Sequence, residues 1–541
     1  MSAIAYVDRA PGARRQPSVL LSRWSACAWG AIAVTTAFIG LTCWWLTQDH
    51  SIPVFDAGYH LETAVEYHNM LRSGNLLGPF EHPLEYPPLA FLVGATGMFI
   101  GGLNVSSPII AENIVFVSLL ALGCYQAGRL LFGAPAGLLA VIFALGSPLL
   151  IVQFHVFMLD APETALVAVS IWLILASEDF SRIRIAGLAG LAVACGLLIK
   201  AQFPFFVAGI VLAALARGGW RNWRGVAAFA AIPIVLAAPW YIDHLSEFKA
   251  IANLTGANLG VGGAPSNNVD VPPALSTADL LWYFWSALNS LLLPVLFLLA
   301  LAGTIWTISA VLRDRIARGP TLEFLVGGFI AWLAITLTAL HDIRYDMPLM
   351  PYLAVIGTGW IVYLNRAGRV AATAVLVLAV AANTLGSTFG VGGQEELKLA
   401  HSPPAGEALP DRIVLYSNRG FLVAGPKRDG DVGGLLHALH SNGVRVAEFT
   451  YRIESDFSDE GLFALAMMAG LSHTLHWQLL TGPLYGSSAS AALIHHPIAP
   501  GGPPACTRLS DGTGVWVDRL NPASGRIELY CPYRNPQFYS R

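Results

Sequence analysis

The chain has 541 residues, of which 55% are hydrophobic and only 12% charged, with a formal net charge of −3 and a mean hydropathy of +0.58. The charged share is about half that of ordinary soluble domains, so a string of soluble domains is excluded and a polytopic membrane protein is expected. No long basic cluster is present, which argues against a nucleic-acid partner, and the 53 Gly and 33 Pro are dispersed, which excludes collagen and low-complexity sequence.

Arg9, Arg14, Arg15 and Arg23 precede an apolar run from Trp24 to Leu46. The run is longer than a signal-peptide core and has no small-residue cleavage site after it, so it reads as an uncleaved first span with the N-terminus in the cytoplasm. Residues 47–107 then form a first outer loop. It carries Asp49, Asp56, Glu62, Glu66, Glu81 and Glu85 against one basic residue, Arg72. Cytoplasmic loops collect Lys and Arg, so this loop is expected on the opposite side. Tyr86-Pro87-Pro88 breaks any helix. The run from Leu89 to Leu103 fits a short span or an interfacial helix. We take it as interfacial, because the later loops then alternate correctly.

Further spans are expected at 108–130, 134–153, 162–177, 185–200, 203–217, 225–242, 280–312, 321–340, 347–364 and 370–388, about eleven in all. The loops that this order places in the cytoplasm hold Arg129; Arg182 and Arg184; Arg217, Arg221 and Arg224; Arg313, Arg315 and Arg318; Arg366 and Arg369. Among the opposite loops, three stand out. They are Gln153–Glu163, the Gly-, Asn- and Pro-rich stretch 243–279, which reads as a mobile loop closing over a site, and His341–Asp346. The expected domains are a membrane domain over 1–389 and a soluble α/β or α+β domain on the outer face over 390–541. In the latter, Arg412–Tyr416, Thr513–Val517 and Ile527–Tyr530 read as strands, Ser417–Gly420 as a turn and 432–441 as an amphipathic helix. Cys506 and Cys531 lie in this region, either paired or as two free thiols.

The candidate chemistry sits at the outer ends of the spans. Asp160, beside Pro162, is either a helix cap or a functional carboxylate at membrane depth. Asp56 serves no apolar pattern. A solvated loop carboxylate is the plainer reading, but Tyr59, His60, Glu85 and Tyr86 share its loop. Cations on this face are few, chiefly Arg72, Lys200, Lys249 and Arg344. Lys200 can snorkel and Arg344 can pair locally with Asp342 or Asp346, yet an anionic phosphate here would need such groups. No Walker loop, GxGxxG, CxxC pair or Gly-x-Ser-x-Gly elbow occurs, and the histidines are not spaced as a zinc site.

Taken in order, Asp56-Ala-Gly-Tyr59, Glu85-Tyr86-Pro87-Pro88, Leu159-Asp160, Leu198-Ile-Lys200 through Pro204, and Arg344-Tyr345-Asp-Met-Pro348 through Pro351 form a familiar pattern. Over roughly residues 20–390 it resembles the type C glycosyltransferases (GT-C), in particular lipid aminoarabinose transferases and protein O-mannosyltransferases. The chain departs from them at Ala57, where relatives often have Glu, and at Tyr86, where aminoarabinose transferases tend to have Lys. The resemblance implies a GT-C-like helical membrane fold and inverting transfer of a sugar from a polyprenyl-phosphate donor. The acceptor would be a hydroxyl of a lipid, glycan or protein at the outer face of the plasma (inner) membrane. It implies Asp56 as general base with Asp160 assisting, Lys200, Arg344 and Tyr345 at the donor phosphate, and Tyr59, His60, Glu85 and Tyr86 at the substrate. A divalent ion is compatible with the resemblance, and no residue set fixes one. The alternative from another class is a lipid or sugar transporter or flippase, although transporters place polar groups mid-span and these runs are apolar in their middles.

Overall fold

The computed structural model describes residues 25–82, 86–246, 277–338 and 341–391, and beyond them 397–398, 414–416, 425–427, 430–451, 459–477, 491–498, 500–502, 504–509, 512–521, 524 and 526–532. The N-terminal arginines, Glu85, Lys249, most of the 243–279 stretch, Arg412 and the Ser417–Gly420 turn lie outside these residues.

Each apolar run read from the sequence folds as a helix or a broken helix. Among the described residues, five helices are long and apolar enough to cross a membrane: Ala26–Gln48, Ser106–Phe132, Leu293–Leu312, Arg318–Thr336 and Arg366–Phe389. The others are shorter, such as Ala134–Leu145, Asp160–Ala176, Ile183–Leu197 and Pro204–Ala216. Several are extended by a second piece after a break. Pro148–Gln153 follows Ala134–Leu145, and Ala238–Asp243 follows Trp223–Leu236 with Pro233 inside the turn before it. Large apolar side chains point outward: Ile100 is 85%, Leu312 72% and Leu378 70% exposed. In water such faces would drive association; in hydrocarbon they are the natural surface.

Without a hydrophobic drive between helices in lipid, close packing needs small residues. Gly123 shows this. A Cβ there would lie 2.4 Å from the Ala168 carbonyl carbon, so glycine is what lets helix Ser106–Phe132 seat on Asp160–Ala176. The segment expected to be interfacial is helix Leu89–Gly101. Its 13 residues span about 20 Å, short of the ~30 Å hydrocarbon core. It packs on helix Asp56–Arg72 of the first outer loop.

After Phe389 the architecture changes to a small sheet domain. Strands β1 (Leu397–Lys398) and β2 (Val414–Tyr416) pair antiparallel. A mixed sheet is formed by β3 (Val446–Tyr451), β4 (Ser472–Trp477), β5 (Ala491–Pro497), β6 (Thr507–Arg508), β7 (Thr513–Asn521) and β8 (Arg526–Leu529), ordered β4-β3-β5-β7-β6 with β8 also on β7. β3 runs parallel to β4 and β5, and the rest of the ladder is antiparallel. The β3-to-β4 crossover is helix Asp459–Met468, as parallel neighbours require. Helix Val432–Ser441 starts where the Asp431 side chain accepts from Gly434 N at 2.7 Å. Cys506 and Cys531 are disulfide-bonded, with Cα atoms 5.3 Å apart.

Candidate active site

Three segments far apart in sequence meet at one end of the apolar helices. The first is the start of helix Asp56–Arg72. Phe55, just before it, has φ 50° and ψ −131°, a conformation that non-glycine residues adopt only when the surroundings hold it, at a cost on the order of 1–3 kcal/mol. This bend presents Asp56 as the first helical residue, its side chain half exposed. Tyr59 and His60 follow on the first turn. His60 is buried, its ring 5.3 Å edge-on from Tyr86 and 5.8 Å from Phe91, and Tyr59 lies 6.5 Å from Tyr86. Burial pulls the His60 imidazole down to about 4, which keeps it neutral, and pushes the Tyr86 hydroxyl up to about 12.

The second segment joins the start of helix Asp160–Ala176 to the turn before Pro204. Asp160 is not a cap. Leu159 holds the cap position, and no side chain closes it. The Asp160 carboxylate instead accepts from Lys200 Nζ at 2.6 Å, with side-chain exposures of 2% for Asp160 and 12% for Lys200. Lys200 therefore does not snorkel outward. Its ammonium also sits 4.7 Å over the Tyr345 ring, a cation–π contact. The turn carrying Lys200 is tied to the Pro-Pro corner, where Leu89 N donates to Leu198 O at 3.0 Å.

The third segment is the turn Asp342–Asp346. Arg344 forks onto Asp342, Nε to Oδ1 at 3.1 Å and Nη2 to Oδ2 at 2.9 Å, and Arg344 N also donates to Asp342 Oδ1. Its remaining arm, Nη1, donates to Asp56 Oδ2 at 2.8 Å across 288 positions of sequence. The local pair read from the sequence is thus real, and a long-range pair joins it. The guanidinium holds Asp342 below the usual carboxylate range although burial opposes this. Burial raises the Tyr345 hydroxyl.

The candidates Asp56, Asp160, Lys200, Arg344 and Tyr345 therefore share one cluster, with Tyr59, His60 and Tyr86 against it. Glu85 lies outside the described residues. Sequence reasoning missed one pair: Glu163, fully buried, accepts from Gln202 Nε2 at 2.9 Å. A signal for it existed: Glu163 and Gln202 follow Asp160 and Lys200 by a few residues, so two pairs link the start of helix Asp160–Ala176 to the turn before Pro204. Among the described residues no group of His, Cys, Asp and Glu could hold a metal. The carboxylates of Asp56 and Asp160 face a guanidinium and an ammonium.

Residues 83–242 match the family described as dolichyl-phosphate-mannose-protein mannosyltransferase. Tyr86, Asp160 and Lys200 lie inside the matched stretch, and Asp56 and Arg344 outside it. Among solved structures, the chain is similar to ArnT from Cupriavidus metallidurans bound to undecaprenyl phosphate. Identity is 17% and the TM-score 0.48, over 67% of this chain and 65% of that one. The apo state of that protein matches with the same identity and TM-score. The arabinosyltransferase EmbB from Mycobacterium smegmatis matches at 16% identity and a TM-score of 0.40, covering 64% of this chain and 32% of that one. The chain thus spans just under two thirds of the length of ArnT. No curated protein matches it at a significant level.

Proposed function

We propose that the chain is a membrane glycosyltransferase with about eleven spans that moves a sugar from a polyprenyl-phosphate donor to a hydroxyl acceptor at the outer face of the plasma membrane. The observation that carries the reading is the convergence of Asp56, Asp160, Lys200 and Arg344 from three segments onto one end of the helices. Such a set supplies a base and two cations within reach of a lipid-borne substrate. The family match over residues 83–242 supports it. The topology follows from the basic loops: N-terminus in the cytoplasm, site and residues 390–541 outside. In keeping with this, Arg217 at the opposite helix ends pairs with Asp179 and Glu323, away from the site.

The transfer runs in one displacement. The acceptor oxygen attacks the anomeric carbon, its proton passes to the Asp56 carboxylate, and the bond from that carbon to the phosphate oxygen breaks. Polyprenyl phosphate leaves, and the configuration inverts. A hydroxyl is a weak nucleophile, so the base belongs where the acceptor enters, and half-exposed Asp56 is so placed. The leaving phosphate is met by Lys200 and Arg344, with Tyr345 beside them. In the resting site Arg344 is shared between Asp342 and Asp56. A phosphate that takes the Nη1 arm leaves Asp56 free to accept a proton, which couples donor binding to activation of the base. Asp160 holds the Lys200 ammonium in place. Tyr59, His60 and Tyr86 line the substrate side, and Glu85 is assigned to substrate binding from the sequence.

The test is purified protein in lipid nanodiscs given a labelled polyprenyl-phosphate sugar and candidate acceptors. Release of polyprenyl phosphate with sugar on the acceptor supports the enzyme. Vectorial movement of intact donor in liposomes, without cleavage, would select a transporter instead.

A further inference from the structure

The site motif is clamped from outside by the C-terminal sheet domain, through one glycine on each side. Helix Asp459–Met468 of that domain packs along helix Asp56–Arg72. At their contact a Cβ on Gly58 would lie 2.5 Å from Gly461 N, and a Cβ on Gly461 would lie 1.8 Å from Pro53 O and 2.9 Å from the Ile52 side chain. The backbone at Gly461 is therefore wedged between the chain before Phe55 and the first helical turn after it. Only hydrogen fits at either position. The same helix sends Ala464 and Met468 into the core of the helical bundle, while Ile52 packs on the core of the sheet domain. Backbone bonds add to the seam: His50 N donates to Lys427 O at 2.7 Å, and Lys427 N donates to Asp49 Oδ1 at 2.8 Å.

We propose that the C-terminal domain is a positioning element of the active site, and that the Gly58–Gly461 contact fixes where Asp56 stands. The inference rests on the assignment of Asp56 as the base. Phe55 is held at a positive φ between the two contact points, Pro53 and Gly58, both of which touch the one glycine. A strained residue persists where its surroundings over-determine it, and here the surroundings belong to the other domain. If Gly461 moves outward, the bend at Phe55 relaxes and Asp56 shifts with the first turn. Lys200 and Arg344, on other segments, stay where they are. The loss should fall on turnover and spare donor binding. Gly58 in the motif is thereby explained as a seat for the partner domain's backbone.

The experiment compares full-length Gly461→Ala with wild type, with Gly40→Ala as control, since a Cβ at Gly40 meets nothing within 4 Å. Gly461→Ala should lower kcat at least about tenfold with the donor KM changed by less than about twofold, because a small misplacement of a reacting group is felt mainly in turnover. Gly40→Ala should match wild type. Amide exchange over residues 52–60 reads the clamp without any turnover: exchange should quicken in Gly461→Ala. Unchanged protection there overturns the proposal even if the wild type proves inactive, and inactivity of the wild type with quickened exchange counts against the glycosyltransferase reading alone. Wild-type kcat in folded Gly461→Ala, or a loss confined to KM, also overturns it. If Gly461→Ala does not fold, Ala464→Val, a milder wedge one turn along the same buried face, takes its place with the same two expected results and the same refutations.

Discussion

Replacing Arg344 with Ala separates binding from stability, and the structure gives the sizes. The side chain makes two bonds to Asp342 and one to Asp56. With it in place the side chains of Asp342 and Asp56 are already 30% and 50% exposed, so water can solvate both once it is removed. The folding cost should therefore be near that of partly exposed pairs, about 1 kcal/mol. Donor binding should suffer more. A hydrogen bond from a charged donor contributes about 1.5–3 kcal/mol, which corresponds to roughly 10- to 150-fold in Kd. Arg344→Lys should recover only part of this, since an ammonium keeps the charge but not the fork that spans two carboxylates. The assay is equilibrium binding of a labelled polyprenyl-phosphate sugar to protein in nanodiscs, with thermal unfolding measured alongside. Donor affinity within about twofold of wild type in folded Arg344→Ala would refute a phosphate role for this residue.

The Lys200–Asp160 pair should behave oppositely. Both groups are buried, so Lys200→Ala or Asp160→Asn alone leaves an uncompensated partner and should cost about 3–5 kcal/mol, while Lys200→Met with Asp160→Asn should be milder than either; thermal unfolding of the three variants checks this, and a double variant worse than both singles would contradict it. His60 predicts a pH dependence. Burial takes its pKa from an ordinary 6.5 to about 4, so below 6.5 the unfolded chain binds a proton that the folded site refuses. Its contribution is full above 6.5 and is lost as the pH falls toward 4. In His60→Phe, which keeps an aromatic ring against Tyr86 and Phe91, the fall in melting temperature across that window should be shallower; parallel curves for the two proteins would count against a buried neutral imidazole.

The helices were legible because lipid imposes one strong rule, long apolar runs, and that rule needs no tertiary information. The members of the cluster were legible for a related reason. A charge at the end of an apolar run, such as Lys200 or Asp160, stands out against its neighbours. Their partners were not. Read alone, Asp160 is either a cap or a functional carboxylate and Lys200 can snorkel, and only folding shows them 2.6 Å apart. The Arg344–Asp56 bond closes 288 positions of sequence, beyond any local pattern. In the C-terminal domain, helix Val432–Ser441 and strands β7 and β8 followed from local pattern. The parallel pairing of β3 with β4 and β5 did not, because register between short strands is set by the sheet as a whole. Gly58 was likewise silent, since its reason is a backbone some 400 residues further along, at Gly461.

The most direct test of the central claim is Asp56→Asn, which keeps the shape and the contact to Arg344 while removing the base. The variant should fold, remain in the membrane and bind the labelled polyprenyl-phosphate sugar with near wild-type affinity, because the proposed phosphate contacts come from Lys200 and Arg344. Its single-turnover rate of transfer should fall by roughly two to four orders of magnitude, the usual weight of general-base catalysis. Transfer at near wild-type rate in folded Asp56→Asn would contradict the account and move the search for the base to Asp160 or Glu85.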